Sequence, residues 1–224
     1  MKVIGIGGFA RCGKDAFVSI AKNILLKNGY QPQRVAFADN LKSEVDNMLE
    51  QNNFELDVYN TDNAAKSKIR PLLVWWGCAR RDLSDGGLYW VDQVNKQLTQ
   101  QCKQEPTDNV VTLISDVRFP NEAQWLHKNW DGEFIHIRRF SYEDVRDGYG
   151  DFVSSKTYDA APNEEEAKND PLIREIADVH MEWESKGIPA GEDPTKDEYL
   201  QRKVLDALNS TKFFKHTTTG TLSL

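Results

Sequence analysis

The sequence predicts an α/β protein built on an open parallel sheet, and three stretches predict it. Met1 to Phe17, MKVIGIGGFARCGKDAF, passes from a β-branched run through a glycine-bounded loop into apolar residues at helical spacing. Asn109 to Ser115, NVVTLIS, is a continuous apolar run of strand length that ends in Asp116, and Gly132 to Arg138, GEFIHIR, is another such run. Helical patterns separate these strands, as parallel neighbours require, because each needs a crossover back across the sheet.

The first stretch carries the most specific chemistry. Gly8 and Gly13 bracket four residues and Lys14 follows, which is the G-x-x-x-x-G-K spacing of a phosphate-binding loop. Glycines let successive N–H groups turn toward one phosphate, and the lysine adds a mobile positive charge. A helix starting there also turns the positive end of its dipole toward the anion. Such loops usually continue with Ser or Thr, whose hydroxyl meets Mg²⁺; here the residue is Asp15, a carboxylate able to hold the ion directly or through water. Cys12, inside the loop, reads as a small filler rather than a nucleophile.

With 224 residues the chain is long enough for one substantial core and a small inserted lid. Six Trp, seven Tyr and ten Phe argue against disorder, and a net charge of −7 argues against an extended nucleic-acid groove, which would need an excess of Lys and Arg. Any phosphorylated ligand is therefore expected to be small and met by local arginines. Cys12, Cys78 and Cys102 form no metal-ligand pattern. With no run of eighteen apolar residues and no apolar leader, the expected setting is the reducing cytoplasm, away from membranes.

In chain order, a helix is expected from Lys14 to Leu26, stopping at Asn28-Gly29. Arg34 to Ala38 reads as a second strand, with Asp39 capping a helix from Leu41 to Leu49. Ligands of open parallel sheets collect beyond the carboxyl ends of strands, which directs attention to Asp39 and Lys42. Ile69, Leu72, Leu73 and Trp76 define a helix from Ala64 to Trp76 that Gly77 would close, followed by Arg80-Arg81 and an amphipathic helix from Leu88 to Leu98. Asp116 stands at a strand end, where a carboxylate can orient Mg²⁺, and Arg118 follows with a guanidinium suited to two phosphate oxygens. The alternative is that Asp116 only caps the helix from Asn121 to Asn129. His136, between isoleucines, is expected to pack.

Beyond Arg138 and Arg139 the pattern loosens. Residues 140–176 read as a lid-like insertion, with Glu164-Glu165-Glu166 as a solvated helix start. Pro171 to Ser185 and Lys196 to Leu208 read as helices, and 211–224 as a loose tail. The division expected is a single domain with its core at 1–38 and 105–139, a helical region at 39–104, the lid at 140–176 and C-terminal helices at 177–210.

Several of these stretches resemble the deoxynucleoside monophosphate kinases of bacteriophages, a branch of the P-loop kinases. They are Gly8 to Asp15, Phe37-Ala-Asp-Asn-Leu-Lys42, Ile69-Arg-Pro-Leu-Leu73, Trp76-Gly77, Tyr89-Trp-Val91, Ser115-Asp-Val-Arg-Phe-Pro-Asn-Glu122 and Ile135-His-Ile-Arg138. The resemblance implies a three-layer fold with helices on both faces of a parallel sheet, a helical monophosphate-binding insertion, a lid and a homodimer. It also implies transfer of the ATP γ-phosphoryl, with Mg²⁺, to the 5′-phosphate of a deoxynucleoside monophosphate.

On this reading Gly8, Ala10, Arg11, Cys12, Gly13, Lys14, Asp15 and Ala16 hold the ATP phosphates, and Asp15 and Asp116 position Mg²⁺. Arg118, with Arg80 or Arg70, grips the acceptor phosphate, while Arg138 and Arg11 stabilise the transferred charge alongside Lys14. Asp39, Lys42, Trp76, Trp90, Asp116 and Glu122 complete the substrate site. Two alternatives remain: a kinase of another small or modified-nucleotide acceptor, and an ATP-binding switch or assembly protein without kinase activity.

Overall fold

A computed structural model describes residues 1–60, 62–104, 106–146, 152–185, 193–215 and 221–224. The chain divides into two compact units, Met1–Arg34 with Asp108–Leu224, and Val35–Thr107. No helix among the described residues is long and apolar enough to cross a membrane.

The first unit is built on a sheet of β1 (Lys2–Gly7), β2 (Gln31–Val35), β3 (Val110–Val117), β4 (Glu133–Arg146), β5 (Phe152–Tyr158) and β6 (Val179–Glu184). The strand order is β2-β3-β1-β4-β5, with β6 also pairing with β4. Strand β1 is parallel to both β3 and β4, β6 is parallel to β4, and β5 is antiparallel to it. The expected all-parallel sheet is thus a mixed one. β4 serves two neighbourhoods in turn, because Ile135 to Phe140 pairs with β6 while Phe140 to Arg146 forms a hairpin arm with β5.

Alternation along β1 explains the layers. Ile4 and Ile6 face one side, where they pack with Phe17, Ile20 and Ile24 of α1 (Lys14–Lys27) and Val204 and Leu208 of α7 (Glu198–Ser210). Gly5 and Gly7 face the other, against Leu126 of α5 (Pro120–Trp130) and the ring of Phe134. On that second side α6 (Glu164–Ile176) lies beside α5. Helices therefore cover both faces of the sheet.

The second unit is helical, with α2 (Phe37–Gln51), α3 (Asn63–Asp82) and α4 (Tyr89–Gln104). Val45, Leu49, Val58 and Ile69 form its buried apolar centre, with Leu72, Leu73 and Trp76 packed around it. That packing offsets the cost of Pro71, roughly 3 kcal/mol for proline in a helix interior, and α3 runs on through Gly77 instead of closing there.

Four further expectations change. The second strand ends at Val35 and α2 begins at Phe37, so Asp39 lies in the first helical turn and is not the cap. Residues 140–176 contain the β4–β5 arm and α6, with 147–151 outside the described residues. The helix expected to reach Ser185 stops at Ile176, and Val179, Met181 and Trp183 alternate inward as β6, the last strand of the core. Part of the tail is anchored: Leu222 is buried and its N–H donates to Asn209 Oδ1 at 3.0 Å, while Ser223 N–H donates to Asn28 Oδ1 at 3.1 Å. Residues 216–220 lie outside the description.

Candidate functional site

The glycine loop leaves β1 at Gly7 and enters α1 at Lys14. Its two bracketing glycines are required by space as well as by conformation. At Gly8, φ is 125° and a Cβ would lie 2.2 Å from the Ile137 carbonyl oxygen. At Gly13, φ is 96° and a Cβ would lie 2.2 Å from the Trp183 ring. Trp183 also donates its indole N–H to the Cys12 carbonyl at 2.8 Å, so β6 braces the loop from behind.

Lys14 lies folded into this loop. Its Nζ donates to the carbonyls of Gly8 and Phe9, each at 2.7 Å, and the residue is only 9% exposed. Cys12 is buried, and burial pushes its thiol above the ordinary range, with Lys14 opposing. A neutral, covered thiol is a poor nucleophile, which agrees with its reading as a filler. Arg11, Asp15 and Ala16 are at the loop and first helical turn, with Arg11 and Asp15 exposed and Arg11 in the left-handed region at φ 68°.

The end of β3 brings a second group of residues into the same unit. Asp116 is half-buried near the strand end. Glu122, buried in the first turn of α5, accepts from the backbone N–H groups of Arg118 at 2.8 Å and Phe119 at 3.1 Å. Its carboxylate therefore shapes the Arg118 segment and is covered. Arg118 Nη1 meets Glu166 Oε1 at 3.2 Å, and the Ala10 N–H of the loop donates to Glu166 Oε2 at 2.6 Å. One carboxylate thus links the glycine loop to the arginine.

Arg138 lies within the β4–β6 pairing, opposite Glu182, and not at the strand end where the sequence placed it. Its guanidinium sits 3.4 Å from the Tyr158 ring centroid and 3.6 Å from Glu182 Oε1. Glu182 gathers three partners, accepting from Lys156 at 2.6 Å and from Tyr158 at 2.9 Å as well. The hydrogen bond to Glu182 pushes the Lys156 ammonium up to about 12. Burial would raise Glu182, yet Lys156, Tyr158 and Arg138 together hold it below the usual carboxylate value. Behind Arg138, His136 is 1% exposed and its Nε2 lies 2.9 Å from Asp170 Oδ1, in line with a packing role.

The helical unit has its own polar centre at Glu44. Its carboxylate accepts from Trp76 Nε1 at 2.9 Å, from Arg80 Nε at 2.9 Å and from the Tyr89 hydroxyl through a short contact. Arg80 lies over both rings, 5.2 Å from Trp76 and 4.8 Å from Tyr89. Lys42 reaches over Tyr59 at 5.9 Å. Asp39 is half-buried, and Arg70 is exposed, about 15 Å along α3 from Arg80 at the helical rise. Trp90 is 2% exposed and donates to the Gly77 carbonyl at 3.2 Å. A ring so covered packs α4 within the helical unit.

Glu44, Tyr158, Glu166, Glu182 and Trp183 were not among the expected site residues. Trp183 carried a signal, since Val179, Met181 and Trp183 recur with period two. Glu44 and Glu166 carried none, because an acidic residue on a helix is ordinarily solvated. No protein-family model matches the chain, and no curated protein matches it. Among the described residues no three His, Cys, Asp or Glu side chains converge as a metal cage.

Proposed function

We propose that the chain is a nucleotide kinase that moves the γ-phosphoryl of ATP, with Mg²⁺, onto the 5′-phosphate of a deoxynucleoside monophosphate. The observation that carries this reading is the link between the loop and Arg118. A backbone N–H from the end of β1 and a guanidinium from the end of β3 both hold one anionic group, here a carboxylate. Donors converging from two strand ends suit a phosphoryl group, which offers several oxygens to several partners. The loop also leaves no room for a Cβ at Gly8 or Gly13, as a backbone cradle for phosphate requires.

Two phosphorylated ligands repel, and catalysis consists largely of cancelling that repulsion while holding donor and acceptor in line. Lys14 exchanges its carbonyl partners for phosphate oxygens when ATP enters. Asp15 and Asp116 would be the carboxylates that hold Mg²⁺ or its waters, since the ion binds through one or two carboxylates plus substrate oxygens and water. Bound there, Mg²⁺ neutralises charge on the phosphates. The acceptor is already anionic, so no strong general base is needed. Trp76 and Tyr89 present two rings with the Arg80 guanidinium over both, a set suited to a nucleoside monophosphate.

The test is ADP release measured with ATP, magnesium and each of the deoxynucleoside monophosphates in turn. Release that requires one of them supports the reading. Release at one rate regardless of acceptor would replace it with a nucleotide hydrolase or switch, and release only with a different acceptor class would keep the kinase and change its substrate.

A further inference from the structure

We infer that Glu166 is an internal stand-in for the phosphoryl group held by the glycine loop, and that Arg118 serves that same phosphoryl group. The inference rests on the nucleotide-kinase reading and deepens it in two respects: it moves Arg118 from the acceptor phosphate to the transferred group, and it makes Glu166 a competitor that the nucleotide displaces.

The geometry separates Glu166 from an ordinary surface acid. Glu164, Glu165 and Glu166 open α6 together, yet the first two are exposed, whereas the Glu166 side chain is 10% exposed and both of its oxygens are engaged. Oε2 takes the Ala10 N–H at 2.6 Å, a short charge-assisted contact, and Oε1 takes Arg118 Nη1 at 3.2 Å. Asn163 fixes the glutamate from the other side. Its Oδ1 accepts the Glu166 N–H at 2.8 Å, capping α6, and its Nδ2 donates to Oε1 at 3.3 Å. A carboxylate and a phosphoryl group present oxygens at similar spacing, so donors satisfied by one are placed for the other.

Lys14 completes the picture of a loop that satisfies itself. With Nζ bound to the Gly8 and Phe9 carbonyls and Glu166 bound to the Ala10 N–H, the loop commits both its lysine and one of its amides to the protein's own groups. A phosphoryl group entering must break the Glu166 contacts first, which lowers its apparent affinity by the stability of that internal contact. When the carboxylate leaves, Arg118 stays beside Ala10, on the phosphoryl group that the loop holds. Side-chain carboxylate and transferred phosphoryl then exclude each other by charge as well as by space, so α6 reports whether the loop is filled.

Calorimetric titration of the full chain with sodium tripolyphosphate, without divalent metal, tests this without depending on any acceptor. Glu166→Ala is expected to bind about tenfold more tightly than the unaltered chain, Glu166→Gln to fall between them because the amide still accepts from Ala10 but loses the charge on Arg118, and Arg118→Ala/Glu166→Ala to bind more weakly than Glu166→Ala. Thermal melts establish that each variant is folded, and Glu166→Gln, which keeps the shape of the side chain, carries the test if the alanine is not. If Glu166→Ala and Glu166→Gln bind no more tightly than the unaltered chain while Lys14→Ala loses binding, Glu166 is only a tether between α6 and the loop; the inference fails and the loop reading stands. If neither the unaltered chain nor either Glu166 variant binds tripolyphosphate, the loop does not hold phosphate and both fail.

Discussion

Trp183 donates its indole N–H to the carbonyl of Cys12 at 2.8 Å, and the same ring occupies the space a side chain at Gly13 would need. The final core strand therefore fixes the curvature of the first loop, although 170 residues of chain separate them in sequence. A loop that must point its N–H groups at an anion gains from such a rigid backing, since reorganisation is then avoided at binding.

Gly13→Ala is accordingly expected to be costly on two counts, a positive φ and a collision with a buried aromatic ring. A loss of about 3 kcal/mol in urea unfolding is expected. Trp183→Phe keeps most of the packing and removes only the indole donor, so about 1 kcal/mol is expected, with a weaker hold on triphosphate. An unchanged unfolding midpoint for Gly13→Ala would show that the ring is not a fixed wall.

In the helical unit, Glu44 is the group whose protonation matters. Burial raises it, but the hydrogen bonds from Tyr89, Trp76 and Arg80 outweigh burial and hold it below its ordinary value of 4.5. A carboxylate depressed in the folded state contributes stability above 4.5 that is lost as the pH falls through the folded value. Glu44→Gln is expected to cost about 2 kcal/mol near neutrality, measured by urea unfolding, and to unfold with a flatter acid dependence than the unaltered chain. Parallel acid curves for the two proteins would contradict the assignment.

Cysteine chemistry gives a simple contrast. Burial lifts the Cys12 thiol and covers it, whereas Cys102 is exposed. Iodoacetamide at neutral pH is expected to label Cys102 and spare Cys12 in the folded chain, read by peptide mass spectrometry, with Cys12 labelled once denaturant is added. Cys12→Ser is expected to keep most turnover; its complete loss would return a nucleophile to consideration.

Much of this was legible in the chain. Six residues of β1 and the glycine spacing identified the loop and the helix behind it, because strand, turn and helix periodicities change sharply within seventeen residues. The strand ending at Asp116-Val-Arg118 was equally plain. What could not be read were elements whose local signals conflict with their tertiary setting. Leu172, Ile173, Ile176 and Val179 satisfy helical spacing, and only the pairing with β4 decides that Val179 begins a strand. Charged Glu143, Asp144 and Lys156 disguised the β4–β5 arm, whose backbone pairing needs no apolar face. Pro71 and Gly77 punctuate α3 locally, yet packing against Val45 and Leu49 carries the helix past both.

The site shows the same division. Glycines and Lys14 announce themselves by spacing, whereas Glu44 and Glu166 act through partners far away in sequence: Glu44 through Trp76, Arg80 and Tyr89, and Glu166 through Ala10 and Arg118. Trp90, an aromatic that its helical spacing leaves open to either a core or a pocket role, is a covered ring whose indole N–H donates to the Gly77 carbonyl.

The central claim is phosphoryl transfer from the glycine loop to a nucleotide acceptor, and phosphorus NMR of the reaction mixture tests it most directly. With ATP, magnesium and a deoxynucleoside monophosphate, the account predicts matched growth of ADP and deoxynucleoside diphosphate signals without free phosphate, slowed about a hundredfold to a thousandfold in Lys14→Ala. Growth of inorganic phosphate in place of the diphosphate, or an unchanged rate in Lys14→Ala, would contradict it.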